Sequence, residues 1–166
     1  GKTNNKFQYF IVDFGSIHLI PTLCVYMALL PMIYALAYSG NELNNLDILA
    51  AFLAIAAVTI QIVSDQQMYN FRKNLSEPKT MKSGLWYYSR HPNYFGEILF
   101  WFSLYVFALA SNLSFAWLLI GSIIMYALIA IASVSMMDKR SLERRPDFQE
   151  YMDSTPSIFI NILKKG

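Results

Sequence analysis

Four long apolar stretches, with Asp47 and Glu97 as their only charged residues, constrain this chain more than any other feature. A bilayer's hydrocarbon core is about 30 Å thick and needs about 20 mostly apolar helical residues to cross. Ile17–Ser39 meets that length, with Pro21 near its start and Pro31 placed to kink it. Leu46–Ser64, "LDILAAFLAIAAVTIQIVS", is the second. Tyr94–Ala110 and Leu113–Met137 follow, separated only by "SN", which predicts a tight helical hairpin. A soluble helical core is the alternative, but charged residues make up only 14% of the chain, against about 25% in soluble domains. The expected fold class is all-α integral membrane: a bundle of about four transmembrane helices forming a single membrane domain over residues 1–166.

Charge placement orients that bundle. The 13 Lys and Arg residues occupy three segments. Lys2 and Lys6 precede the first span; Arg72, Lys73, Lys79, Lys82 and Arg90 separate the second from the third. Lys139, Arg140, Arg144, Arg145, Lys164 and Lys165 follow the fourth. Loops 40–45 and 111–112 hold none. With four spans the basic segments share one face, as the positive-inside rule requires, which puts both termini on the cytoplasmic or matrix side. The endoplasmic reticulum, a bacterial inner membrane and the mitochondrial inner membrane fit equally. A net charge of +2 is too small to argue for nucleic acid. The lone cysteine, Cys24, excludes an internal disulfide framework, and the N-terminus lacks a signal-peptide pattern.

No GxGxxG, P-loop, CxxC or HExxH occurs, and His18 and His91 make no metal-ligand spacing. The unusual residues gather instead at the basic face. Gln61, Asp65, Tyr69 and Arg72 share one helical face. A helix end reaching water would account for them; so would a polar stripe lining a ligand groove, since an acid at membrane depth is costly unless it has a use. Glu97 lies inside the third apolar stretch, on the face of Asn93 and Tyr94. It is either an interfacial glutamate or a fixed acceptor in a polar cavity. In "SRHPNYFGE", Pro92 suits a first helical turn. Arg90 and His91 then sit at a helix N-terminus, whose free N–H groups favour anions. Trp86, Tyr87 and Tyr88 alone would pass for an interfacial aromatic belt. The tail "DKRSLERRPDFQEYMDSTPSIFINILKK" is amphipathic and basic, and its Leu142, Phe148, Tyr151 and Met152 suit either the membrane surface or a cover over a pocket mouth.

Together "GLWYYSRHPNYFGE", the upstream "SDQQMYNFRKN" and the downstream "LERRPDFQEYMDSTPSIFI" resemble the steroid 5-alpha-reductase-like membrane reductases, in particular their DUF1295 branch. The superfamily also contains the isoprenylcysteine carboxyl methyltransferases, which share "RHPxYxG" and bind S-adenosylmethionine; Asn93 and Glu97 favour the reductase branch. The resemblance implies NADPH as cofactor, held by Asp65 and Arg72 and, at the nicotinamide end, by Asn93 and Glu97. Tyr88, Arg90, His91 and Tyr94 fall in the same wall, and Lys139, Arg140, Arg144 and Tyr151 in the tail that covers the adenosine-phosphate end. The implied reaction is hydride transfer to an activated C=C bond of a hydrophobic, lipid- or steroid-like substrate, followed by protonation; no residue is implied as proton donor. The family's chains carry further spans upstream of the matching part, and its terminal "IP" reads Ile160–Asn161 here. A shortened, non-catalytic subunit of a larger membrane complex is therefore the second expectation, and a methyltransferase the third.

Overall fold

The computed structural model describes residues 14–38, 42–73, 75 and 79–160. Lys2, Lys6, Ser39, Asn161, Lys164 and Lys165 lie outside the described residues, as does part of loop 40–45. Six helical elements follow one another among the described residues: α1 (Phe14–Ala37), α2 (Asn45–Lys73), α3 (Leu85–Tyr88), α4 (Pro92–Ser111), α5 (Leu113–Arg144) and α6 (Phe148–Ser154). Four of them, α1, α2, α4 and α5, are long and apolar enough to cross a membrane. The chain is an all-helical membrane protein.

Local chemistry sets the helix ends. Asn44 Oδ1 accepts from the N–H of Leu46 at 2.8 Å while Asp47 returns the favour to the N–H of Asn44 at 2.9 Å, a reciprocal cap that starts α2. Pro92 opens α4, where its missing N–H costs nothing. Asn112 ends α4 and its side chain accepts from the N–H of Ser114, opening α5; this is the tight hairpin expected at "SN". α1 runs unbroken through Pro31, which is fully buried. Two helices outrun their apolar stretches. α2 continues past Ser64 for about two and a half turns, to Lys73, as the helical face shared by Asp65, Tyr69 and Arg72 requires. Its 29 residues span about 43 Å, so the polar end from Asp65 onward projects beyond a hydrocarbon core of about 30 Å. α5 likewise runs past Met137 to Arg144, after a π-helical stretch at Leu128–Val134.

The spans pack through small residues, as helices without a hydrophobic drive between them must. α2 and α4 form the most extensive pair. Ala50, Ala57 and Ser64, at every seventh position of α2, are completely buried. Gly96 of α4 sits so close to α2 that a Cβ would stand 2.8 Å from the carbonyl oxygen of Ala57. Gly121 of α5 approaches α1 as tightly: a Cβ there would stand 2.6 Å from the Met27 carbonyl oxygen. Phe52, Ile55 and Ile62 of α2 face outward, as does Ile123 of α5, as lipid-facing side chains do. Arg72, Lys79 and Arg90 emerge at the same end as Arg140, Arg144 and Arg145, where they line shared cavities.

Candidate functional site

Beyond its apolar part, α2 carries Asp65, Met68 and Arg72 on one face, and this face is one wall of a cavity of about 190 Å³. Arg90, His91, Asn93 and Tyr94, at the start of α4, form the wall opposite. The end of α5 contributes Met137 and Ser141, and α6 covers the cavity with Phe148 and Tyr151. The polar stripe read along α2 narrows to fewer residues. Gln61 packs against Gly96, while Tyr69 points outward at 63% exposure.

Side chain to backbone bonds hold these walls. The Trp86 indole donates to the Ser64 carbonyl at 3.0 Å, docking α3 on α2. Gly84, at φ 62° and pressed against the Gln67 side chain, allows the turn that leads into it. The Tyr151 hydroxyl reaches the carbonyls of Trp86 and Ser89. Burial pushes that phenol up, well above its ordinary value, so it stays a neutral donor. Thr80 donates through its hydroxyl to Asp147 at 2.8 Å. Burial works against that carboxylate. The Thr80 bonds and Lys82 outweigh it and hold the group below its usual range.

The residues after α6 bind the start of α4 from outside. The N–H groups of Arg90 and His91 donate to the carbonyls of Pro156 and Ser157 at 2.9 Å each, and the Ser89 hydroxyl donates to Ile158. Ile158 is buried against Ile129 and Val134. Inside this strap, Asp138 of α5 bridges two side chains: Oδ2 lies 2.9 Å from an Arg90 Nη, and Oδ1 lies 2.9 Å from His91 Nε2. A carboxylate accepts there, so His91 carries its proton on Nε2. The other Arg90 Nη donates to the Met152 carbonyl at 3.0 Å. The His91 ring stacks on Tyr94, with centroids 5.3 Å apart. The positive helix entry expected at "RHPN" is therefore internally compensated, and both N–H groups ahead of Pro92 are already taken.

Positive charge that lacks such a partner sits next door. A second cavity, of about 400 Å³, shares Arg72, Met137, Ser141 and Arg145 with the first and adds Lys79, Arg140 and Arg144. Among the described residues, no carboxylate lines it. Among the described residues, the ion pairs involve Lys82, Arg90 and His91, and none of these five cations. Arg145 is tied to the Ser141 hydroxyl and lies 4.9 Å from the Phe148 ring centre. Burial, and then the like charge of Arg72, lower its pKa.

Of the expected site residues, Asp65, Arg72, Arg90, His91, Asn93, Tyr94 and Tyr151 line the first cavity, and Arg72, Arg140 and Arg144 line the second. Tyr88, Glu97 and Lys139 line neither. Tyr88 packs edge-on against Tyr87, and Lys139 lies in an outer groove. Glu97 is half-buried one turn below Asn93. Near it the buried Trp101 indole N–H has no hydrogen bond of ordinary geometry. Asp138 was missed by sequence reasoning, although an acid straight after a long apolar run carries the same signal as Asp65; the basic residues beside it mask the signal.

Residues 2–155 match the DUF1295 family, described as a protein of unknown function. The chain belongs to this family. An uncharacterized protein of Schizosaccharomyces pombe is 26% identical to this DUF1295 chain, over 93% of the chain and 51% of its own length. The chain thus spans about half the length of that curated relative. No solved structure matches.

Proposed function

We propose that this DUF1295 protein is a membrane-embedded, NADPH-dependent reductase of an activated C=C bond in a hydrophobic, lipid- or steroid-like substrate. The single observation that carries the reading is the pairing of a small, polar, half-enclosed cavity with an adjoining one lined by five cations and, among the described residues, no acid. Arg145 is half-buried and the other four are exposed; like charges gathered in one place repel, and a ligand with several phosphates relieves that repulsion.

Polar atoms on the cavity wall support the fit. Asn93 Oδ1 and Arg90 Nε are buried and have no partner; a carboxamide donor suits the first and an anionic oxygen the second. Arg72 and Arg145, which stand in both cavities, hold the phosphates, aided by Arg140, Arg144 and Lys79. Asn93 orients the nicotinamide amide. Met81, Trp86 and Phe148 line the smaller cavity and exclude water from it. When bound, NADPH supplies the hydride that alkene reduction needs.

Thermal unfolding of the purified protein in detergent, with and without NADPH, tests this reading. NADPH raises the unfolding temperature, and an enone then oxidises the bound cofactor. A protein stabilised by S-adenosylmethionine and not by NADPH would be a methyltransferase. One stabilised by neither, and purifying with a stoichiometric partner, would be a structural subunit.

A further inference from the structure

The outer side of α5, where the fourth span leaves the membrane, carries an open groove of about 440 Å³ that shares Met137, Arg140 and Arg144 with the inner cationic cavity. Met136, Lys139, Arg140, Glu143 and Arg144 line it. Their spacing of three and four residues places them on one helical face. Met136 is 65% exposed and forms the apolar inner end; Ile131, deeper in the same span, is also exposed. Three cations follow within two turns, with Glu143 the only acid in the groove, and none of the three is ion-paired among the described residues. The 32 residues of α5 extend about 48 Å, which carries this face out of the hydrocarbon and into the headgroup layer.

We infer that this groove binds an anionic phospholipid: its headgroup phosphate lies among Lys139, Arg140 and Arg144, and its acyl chain passes over Met136. A soluble anion would use the cations but not the exposed methionine beneath them, and basic grooves at this depth are where anionic headgroups dock. Arg140 and Arg144 also line the inner cationic cavity. A lipid phosphate and the phosphates of an inner ligand therefore compete for the same two guanidinium groups. Anionic lipid weakens binding at the inner site, and by linkage the inner ligand weakens binding of the lipid. The lipid site stands by itself; only this competition rests on the proposed function.

The experiment takes the full chain from nanodiscs of phosphatidylcholine mixed with phosphatidylglycerol and weighs the retained lipids by native mass spectrometry. Phosphatidylglycerol is retained well above its share of the mixture, and Lys139→Gln brings it down toward that share. Retention of both lipids in proportion to the mixture overturns the inference. Displacement of phosphatidylglycerol by added inorganic phosphate also overturns it, because the groove is then a site for soluble anions. NADPH titrations in discs with and without phosphatidylglycerol test the competition. Affinity is several-fold weaker with the anionic lipid, and Lys139→Gln, outside both inner cavities, narrows that gap. A gap that persists in the variant reflects bulk surface charge and overturns the competition. An absence of NADPH binding in either disc sinks the proposed function and leaves the lipid retention result intact.

Discussion

Arg90 and Arg72 line the same cavity, yet they are built into the protein on opposite terms. Arg90 has an 11% exposed side chain, with a carboxylate at 2.9 Å and a carbonyl at 3.0 Å. Its charge is cancelled by Asp138, which also accepts a hydrogen bond from His91 Nε2. Arg72 is exposed, has no ion pair among the described residues, and stands near enough to Arg145 to depress that group's pKa. A cluster whose charge is compensated can be buried and rigid before any ligand arrives, with Arg90 Nε alone left open toward one. An uncompensated one keeps its free energy high until an anion binds. The first holds α4, α5 and the C-terminal strap together, and the second is where a ligand's charge is felt.

Removing the shared carboxylate is the strongest way to break that contrast. Asp138→Ala leaves a buried guanidinium without its counter-ion, which costs about 3–5 kcal/mol of stability. The loss shows as a large drop in the unfolding temperature, with or without NADPH. If the variant unfolds like the parent, the compensated cluster is not architectural. Arg72→Ala makes the opposite case. It leaves the unliganded protein as stable as before, or slightly more so, because Arg145 loses a like-charged neighbour. NADPH affinity falls about 10- to 100-fold, the equivalent of one charged hydrogen bond at about 1.5–3 kcal/mol, and isothermal titration reads it directly. An unchanged affinity would detach the cationic cavity from the cofactor.

That same division marks how far sequence reasoning reached. Spans, hairpin and the common basic end were legible because hydropathy and charge are properties of single positions. That Asp65 and Arg72 share one helical face, and Asn93 and Tyr94 another helix's first turn, was legible because helical spacing fixes each pair, and all four line one cavity. Pairing was not. Nothing in "RHPN" says that Asp138, 47 positions from His91, neutralises it, because that contact depends on how α5 is turned. The π-helical stretch at Leu128–Val134 sets that facing, since it turns through a smaller angle per residue than an α-helix does. Ala50, Ala57 and Ser64 escaped notice for a related reason. Small residues every seventh position read as ordinary apolar span, although they choose α2's partner.

Tyr151 sharpens the contrast from the compensated side, with a smaller effect. It was expected among the cofactor ligands, and its ring does line the cavity, but its hydroxyl serves the carbonyls of Trp86 and Ser89. Tyr151→Phe strands those carbonyls at a cost of about 1–2 kcal/mol. It also changes the alkaline limb of the stability curve. The folded phenol's pKa is raised above the ordinary tyrosine value, so the folded state holds this proton more tightly than the unfolded chain does. That contribution is complete below the unfolded pKa and is lost as pH climbs from there through the folded value. The parent therefore loses stability more steeply above about pH 10 than Tyr151→Phe does, which denaturant titrations at stepped pH would show. Parallel slopes would mean that the hydroxyl is not held as described.

The smallest effect is at the rim, between the two regimes. Asp147 is 42% exposed and pairs loosely with Lys82 at 3.9 Å, while Thr80 donates to it twice. Its pKa is lowered, so it adds stability above the unfolded carboxylate's value and loses it as pH falls through the folded one. Thr80→Val removes the hydroxyl donor and moves the carboxyl back toward its ordinary value. The acid limb of the stability curve flattens accordingly. Solvent screening keeps the change at neutral pH under about 1 kcal/mol. A loss as large as that of Asp138→Ala would show that the rim is part of the compensated architecture. A loss confined to the acid limb puts the boundary between architecture and ligand site at Asp147.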